Sequence, residues 1–299
     1  MAFISTAPRP RRRVHLGSGP LFLLPSALVL CVFVLYPIGQ SLWMSLHDWS
    51  MFQATHPFLG LANYAEMLDD PRFWNALGNT IVFTVATVPV QVILGLLLAI
   101  ALSRATWWAV LLRSVYFFPV ISSFATMAIV WRFLLSADVG PTASWLRSLG
   151  IVPIDWLHST AFALPAVILV GLWKNIGFTM VILLAALQDV PESLNEAAVL
   201  DGATPWQRFI NVTIPSVRHA LLFTSVIAVI ASLQVFDQVY VMTRGGPLFH
   251  TETLVTYMYQ QGFAEHRSGY AAAIAWVLFL LIMLVSLIQL RLFRYRDVD

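Results

Sequence analysis

Residues 80–102 read TIVFTVATVPVQVILGLLLAIAL, an uncharged and almost entirely apolar stretch. About 20 helical residues cross a hydrocarbon layer about 30 Å thick. In lipid, only a helix satisfies all of its backbone hydrogen bonds within one segment. The stretch therefore predicts a membrane-spanning helix.

Five further stretches are also long and apolar enough to span a membrane as helices. They cover residues about 21–43, 112–135, 161–186, 217–242 and 270–291. Composition agrees, because a chain of 299 residues that is 59% hydrophobic and 11% charged has too little polar surface to cover a soluble globule. We predict an all-α membrane protein with six transmembrane helices in a membrane domain at 19–299.

The segment before the first span is rich in arginine and proline. Residues 1–18 are predicted to form a flexible basic tail at the surface of anionic lipid. Such a start also resembles a secretory signal, but the apolar run is too long and no small-residue cleavage site follows it. We expect the first span to be retained. Its Cys31, the one cysteine of the chain, is interpreted as a packing residue.

The distribution of arginine predicts the orientation of the chain. Six spans place both termini on one side, and loops rich in lysine and arginine stay in the cytoplasm. The side of the termini carries eleven arginines, and the other side carries Arg72, Arg147, Arg244 and Arg267. Both termini are therefore predicted to be cytoplasmic. The net charge of +2 is explained by this bias and indicates no nucleic-acid partner.

The loop between the fourth and fifth spans, DVPESLNEAAVLDGATPWQRFINVTIP at 189–215, predicts two short helices joined by a tight turn. Pro191 suits the first position of the first helix, and Gly202 suits the left-handed residue that ends it. Thr204 with Gln207 three residues later is typical of a capping box. Pro215 is expected to stop the second helix before the fifth span.

A short amphipathic helix at this place fits two roles. Small and apolar residues with a few charges suit docking into a groove on another protein. A helix lying on the lipid surface has the same composition. The pattern alone leaves both interpretations open.

Several spaced motifs resemble one family. Glu196-Ala197-Ala198, Gly202 and Ile214-Pro215 are similar to the signature loop of permeases in binding-protein-dependent ABC importers, with Val212 and Ile214 as conservative replacements. The stretches GLWKNIGFTMVILLAALQDVP at 171–191, QVFDQVYVMTRGGP at 234–247 and TETLVTYMYQQGF at 251–263 resemble carbohydrate permeases of the maltose and glycerol-3-phosphate type.

The resemblance implies a type I importer fold in a bacterial inner membrane. It also implies a hetero-oligomer of this chain, a second related permease, two ATPase subunits and an extracytoplasmic solute-binding protein. The first helix of the 189–215 loop would couple the permease to the ATPases. The implied coupling residues are Glu196, Ala197, Ala198, Asp201, Gly202 and Pro215.

The sequence offers no machinery for hydrolysing ATP. A phosphate-binding loop needs a lysine after a glycine-rich turn, but the only lysine, Lys174, lies inside the fourth span. ATP and Mg²⁺ are therefore expected on the partner ATPase and no cofactor on this chain. The seven histidines form no H-E-x-x-H pair, so the chain is predicted to be a transport subunit without catalytic or metal-binding residues rather than an intramembrane enzyme.

Polar residues inside the spans are candidates for the transport pathway. Lys174 and Asp237 each cost about 2.5–3.5 kcal/mol at mid-membrane, so each should face the bundle interior or a wet cavity. Gln234, Asp237 and Gln238 are expected to share a helical face. The resemblance places the solute against the fourth and fifth spans, with Lys174, Asn175, Phe178, Ser232, Gln234 and Asp237 as candidates. The alternative is that these residues only bond neighbouring helices.

The solute is predicted to be a sugar or a sugar-like compound. Glycerol-3-phosphate or a related phosphodiester is the alternative, since a lysine would suit a phosphate. A secondary transporter driven by ions is the rival from another class. It usually has inverted repeats and broken helices in both halves, and the sequence shows no internal repeat.

Overall fold

The computed structural model describes residues 19–104 and 106–294, which form fifteen α-helices and three short π-helical segments. The predicted tail at 1–18 lies outside the described residues. The α-helices are α1 (Gly19–Leu30), α2 (Tyr36–Ser45), α3 (Ala62–Asp69), α4 (Pro71–Ala101), α5 (Trp107–Ile121), α6 (Phe124–Leu134), α7 (Pro141–Ser148), α8 (Ala163–Gln188), α9 (Glu192–Leu200), α10 (Pro205–Arg208), α11 (Ile214–Ser216), α12 (Arg218–Leu233), α13 (Asp237–Met242), α14 (Leu254–Tyr259) and α15 (Ser268–Arg294). The π-helical segments are Cys31–Leu35, Phe209–Thr213 and Gln260–Ala264.

Six spans can be assigned to these helices. Five segments are long and apolar enough to cross a membrane: Phe22–Ser45, Pro71–Ala101, Ala163–Gln188, Arg218–Met242 and Ser268–Leu292. The pair α5 and α6, counted as one span, gives the sixth. The predicted all-α membrane fold with six spans is confirmed.

The centre of the bundle is formed by α4, α8 and α12, which pack against one another. Two glycines permit close approach. A Cβ atom at Gly95 of α4 would lie 2.6 Å from the Thr179 side chain, and one at Gly177 of α8 would lie 2.0 Å from the Tyr116 carbonyl oxygen. Both glycines are therefore needed where α8 lies against α4 and α5.

The third span, expected at 112–135, is broken in the middle. It consists of α5 and α6, which meet at a bend of 103°. Ser122 and Ser123 between them have extended backbone, with ψ angles of 147° and 132°. Pro119 lies in the last turn of α5, where its ring interferes with the preceding turn. The span itself was predicted, but composition reports apolarity and does not report the size of this break.

The fifth span is also interrupted. Helix α12 ends at Leu233, and α13 begins at Asp237. Phe236, which precedes α13, has φ −136° and ψ −63°, outside the helical region. The expected helical face shared by Gln234, Asp237 and Gln238 was therefore wrong, because a break separates Gln234 from the other two.

The second span begins about two and a half turns of helix before the apolar stretch does. Asp70 caps α4 by accepting a hydrogen bond from the Arg72 amide at 2.9 Å, and Pro71 occupies the first helical position. The side chains of Asn75 and Asn79 then donate to the carbonyl oxygen of Phe249 at 2.8 and 3.0 Å. This polar extension attaches α4 to the loop between the fifth and sixth spans.

Asp70 also joins α4 to α14 and α15. Its carboxylate accepts hydrogen bonds from the hydroxyls of Tyr257 and Tyr270. Burial opposes the ionisation of Asp70, but these two bonds and those from the backbone amides outweigh it, so the pKa of the carboxyl group is lowered. The ionised carboxylate is thus the state that the fold stabilises.

A buried ion pair lies next to Asp70. Arg72 donates to both carboxylate oxygens of Glu252, at 2.8 and 2.7 Å, and Glu252 is only 2% exposed. The guanidinium also lies 4.0 Å from the centre of the Phe249 ring. We call the end of the molecule that carries the 243–267 loop the far end. The opposite end carries the two short helices of the 189–215 loop, and we call it the hairpin end.

Candidate functional site

A cavity of about 210 Å³ lies among the second, third, fourth and fifth spans. It lies beside the break between α12 and α13, which turns residues 234–236 away from a regular helical path. Phe83, Phe124 and Phe236 form its aromatic walls. The polar residues that line it are Thr87, Gln91, Asn175, Ser232, Gln234, Asp237 and Gln238.

Gln238 has an unused hydrogen-bonding atom at this cavity. Its side chain is 2% exposed, and its Oε1 has no hydrogen-bond partner within the described part of the chain. The neighbouring Gly171 permits this arrangement, because a Cβ there would lie 2.9 Å from Gln238 Nε2. A buried amide oxygen without a partner is unfavourable by about 1–3 kcal/mol, so it favours a polar occupant.

Four of the six predicted pathway residues meet at the cavity. Asn175, Ser232, Gln234 and Asp237 line it. Two of them have local partners as well: Asn175 donates to the Gly171 carbonyl at 3.1 Å, and the Ser232 hydroxyl donates to the Val229 carbonyl at 2.9 Å. Phe178, which is 37% exposed, is not among the lining residues.

Lys174 holds the bent third span. Its ammonium donates to the carbonyl oxygens of Pro119, Val120 and Ser122 at 2.6, 3.0 and 2.8 Å. Carbonyls at the end of a helix have no intrahelical partner, and the helix dipole favours a cation there. The three donors of the ammonium are thus matched to the break between α5 and α6, and Lys174 is not among the lining residues of the cavity.

The 189–215 loop forms the predicted helical hairpin with one difference. Gly202 ends α9 with φ +76°, as expected, and Thr204 with Gln207 forms the expected capping box of α10. Pro191 is the N-cap of α9 and not its first helical residue. Pro215 lies one residue before the end of the second helix, which stops at Ser216 after a π turn at 209–213, and the fifth span begins at Arg218.

The first helix of the hairpin presents apolar residues that no described part of the chain covers. Leu200 is 88% exposed, Val199 54% and Leu194 47%. A groove of about 490 Å³ runs beside them, lined by Glu192, Asn195, Glu196, Val199, Leu200 and Arg208. Among the predicted coupling residues, Ala198 is half-buried and the rest are exposed: Glu196, Ala197, Asp201, Gly202 and Pro215.

A family model described as "Binding-protein-dependent transport system inner membrane component" matches residues 59–296. The chain belongs to this family. It is therefore a multi-pass inner membrane permease, as its sequence motifs indicated.

Curated relatives are similar over nearly the whole permease. The lactose transport system permease protein of Rhizobium radiobacter is 36% identical, over 93% of this chain and 94% of that protein. The sulfoquinovosyl glycerol transport system permease protein of Agrobacterium fabrum is 34% identical over 97% and 96%. The trehalose/maltose transport system permease protein of Thermococcus litoralis is 32% identical over 93% and 94%.

A solved structure has the same fold as the permease. It is the crystal structure of a bacterial ABC transporter involved in the import of the acidic polysaccharide alginate. One chain of it aligns with a TM-score of 0.82 at 21% identity, over 94% of the permease and 97% of that chain. This similarity concerns the fold.

Sequence reasoning missed two polar residues of the permease cavity on the second span, Thr87 and Gln91. Gln91 Nε2 donates to the hydroxyl of Thr179 at 2.9 Å, across the contact between α4 and α8. The signal was present, since Gln91 is a buried amide inside a charge-free stretch, and such residues in membranes tend to be functional.

Replacing Lys174 with methionine is expected to destabilise the permease by about 3 kcal/mol, because several carbonyls at the break would lose a charged donor. The readout is thermal unfolding of the purified protein in detergent. Asn175→Ala, one residue along the same helix, is the matched control and should unfold close to the wild type. Equal stability of Lys174→Met and wild type would contradict this role for the lysine.

Proposed function

We propose that the permease is one translocation subunit of an ATP-driven importer for a sugar or a sugar-like solute. The observation that carries this proposal is the central cavity, with its buried, unpartnered amide oxygen of Gln238. Amides, hydroxyls and a carboxylate suit the many hydroxyl groups of a sugar, and aromatic walls suit its apolar faces. Relatives named for lactose and for trehalose and maltose support this solute class.

The proposed contact residues are Asn175, Ser232, Gln234 and Asp237, together with Gln91 and Gln238. The cavity of about 210 Å³ is smaller than ligand pockets usually are, at about 300–1,000 Å³. A second related permease facing this one would complete the site. Lys174 and Phe178 then act on the pathway indirectly, with Lys174 positioning the third span against α8.

A phosphorylated solute fits this cavity less well. Its lining includes the carboxylate of Asp237 and no lysine, arginine or histidine. The lysine that suggested glycerol-3-phosphate donates instead to three carbonyl oxygens. A phosphate group in this cavity would therefore approach an anion without a compensating cation.

The hairpin at 189–215 is proposed to dock on an ATPase subunit, which binds ATP and Mg²⁺. Leu194, Val199 and Leu200 would fill a groove on that subunit, and Glu196 would set the register. Asp201 supports this assignment, because an acid at the C-terminal end of α9 is disfavoured by the helix dipole and gains from an external cation. Ala197, Ala198 and Gly202 allow the close approach, and Pro215 lies where the hairpin joins the fifth span.

The proposed assembly contains this chain, the second permease, two ATPase subunits and an extracytoplasmic binding protein. The hairpin end faces the cytoplasm, together with both termini, because the arginine-rich loops lie on that side. ATP-driven closure of the ATPases would move the hairpin and, through the fifth span, the break at 234–236 beside the cavity.

The test is sugar uptake into proteoliposomes that contain the whole assembly, with the loaded binding protein outside the vesicle and ATP inside it. Glu196→Ala and Gly202→Val are expected to lower ATP-dependent uptake more than tenfold, while the binding protein still retains its sugar. Gly202→Val acts through its positive φ, which a β-branched residue adopts at a cost of about 1–2 kcal/mol.

Asp237→Asn serves as the comparison in the same assay. It should raise the KM for uptake and leave ATPase assembly intact, because it changes the cavity and not the hairpin. Unchanged uptake in both hairpin variants, or uphill uptake by the permease alone, would contradict the proposed coupling.

A further inference from the structure

We propose that a pocket at the far end, lined by Arg132 and Arg244, binds a carboxylate of the solute-binding protein. This inference rests on the proposed function, because it assumes an extracytoplasmic partner at the far end. It assigns a docking residue pair, which lies outside both the central cavity and the hairpin.

The pocket has a volume of about 270 Å³ and a polar rim. Arg132 belongs to the last turn of α6, and Arg244 follows the end of α13. Helices α6 and α13 pack against each other, and the buried side chains of Leu157 and Met242 belong to the same apolar cluster between them and also line the pocket. The two arginines are thus carried on a packed base and not on a free loop.

Positive charge predominates in the pocket. His158 lines it together with the two arginines, no aspartate or glutamate is among the lining residues, and the nearby Asp155 carboxylate is paired with His158 Nδ1 at 2.9 Å and not with either arginine. Within the described ranges 19–104 and 106–294, no ion pair or hydrogen bond is found for the side chain of either Arg132 or Arg244. Two guanidinium groups at one pocket repel each other, so an anion between them would be stabilised by both.

The other arginines at the far end contrast with this pair. Arg72 binds Glu252, and Arg267 binds Glu66 at 2.6 Å. Arg147 donates to the backbone carbonyls of Ala137 and Asp138 at 2.6 and 3.1 Å. Among the arginines described at this end, only the two of the pocket have all of their side-chain N–H groups available to donate hydrogen bonds to a partner.

A carboxylate on a protein is the anion that these features favour. Arg132 and Arg244 are both exposed at the surface, where a macromolecule can reach them. Guanidinium groups bind carboxylates with paired hydrogen bonds, and arginine is enriched at energetically important positions of protein interfaces. The description of the family names dependence on a binding protein, and the proposed function places that protein on the extracytoplasmic side.

The experiment titrates the reconstituted assembly with its own loaded binding protein and measures the stimulated ATPase rate. Arg132→Gln and Arg244→Gln are each expected to raise the half-saturating concentration of binding protein about fivefold at low salt, with the maximal rate unchanged. High salt should shrink the difference between each variant and the wild type, because it screens the attraction that the variants have lost. Arg132→Lys and Arg244→Lys keep the charge and should recover part of the affinity.

Arg147→Gln is the matched control, since it removes an arginine from the same end without touching the pocket. It should change the half-saturating concentration less than twofold. An unchanged concentration in both pocket variants, or a shift equal to that of Arg147→Gln, would overturn the proposal.

A change in the preference between acidic and neutral solutes, without a change in binding-protein dependence, would also overturn it by assigning the pocket to the solute. In each of these cases sugar uptake by the wild-type assembly still tests the proposed function separately. Basal ATPase activity without binding protein reports whether each variant assembles.

Discussion

Replacing Leu200 with glutamine is expected to weaken the binding of the permease to its ATPase subunit by about ten- to a hundredfold. Leu200 is 88% exposed at the end of α9, so its loss removes no packing from the permease itself. Burial of a leucine side chain contributes about 1.5–3 kcal/mol, and each 1.4 kcal/mol is about tenfold in affinity. An exposed ion pair contributes under about 1 kcal/mol. The apolar contact of Leu200 should therefore contribute more to the binding free energy than an ion pair of Glu196.

The measurement is the affinity of the purified ATPase subunit for the permease in detergent or nanodiscs. Leu248→Gln is the matched control, because Leu248 is 81% exposed but lies at the far end. It should bind the ATPase as the wild type does. Equal affinity of Leu200→Gln and wild type would contradict docking through Leu200 and would favour the alternative that the sequence left open, a helix on the lipid surface.

The features that sequence predicts best here are local. The ends of the hairpin helices depend on residues a few positions apart, such as Gly202 and the Thr204–Gln207 capping box, and both were predicted. The spans were predicted because a run of apolar residues has one low-energy structure in lipid. Pro215 was predicted to stop the second helix, and helical structure ends one residue after it, at Ser216.

The breaks in the third and fifth spans depend on tertiary contacts. Pro119 alone predicts a kink, but the 103° bend also needs a cation for the carbonyls that it frees, and Lys174 supplies that cation from another helix. Lys174 and Pro119 are 55 residues apart in the sequence, and no sequence pattern indicates that they are in contact. Some of the polar residues at the cavity were identified because a polar residue is unusual in an apolar span. Gln238 was instead expected to share a helical face with Gln234, and the break in the fifth span separates these two residues.

Arg72 and Glu252 illustrate the same limit more strongly. They are 180 residues apart in the chain and looked like ordinary loop charges in the sequence. The structure joins them in a pair whose acid is 2% exposed. The Asp70 carboxylate, which accepts from Tyr257 and Tyr270, lies in the same region. Together these contacts hold the loop between the fifth and sixth spans against the start of the second span.

Replacing Arg72 with methionine is expected to destabilise the permease by about 3–5 kcal/mol, because it leaves the buried Glu252 carboxylate without a partner. Arg267→Met is the control. Its partner Glu66 is 47% exposed by side chain, so solvent compensates for the loss and the change should stay within about 1 kcal/mol. Thermal unfolding in detergent gives both values on the same scale.

The double variant Arg72→Met with Glu252→Met separates loss of the pair from loss of packing. Removing both charges leaves no uncompensated carboxylate, so the double variant should be more stable than Arg72→Met alone. An equal or lower stability would mean that the unpaired Glu252 carboxylate does not cause the destabilisation of Arg72→Met, which would then come from loss of the guanidinium that lies over the Phe249 ring. Glu66→Met with Arg267→Met should show no such recovery, because neither residue of that pair is buried. The sign of this difference decides whether the far end is held by the ion pair or by the apolar contacts around it.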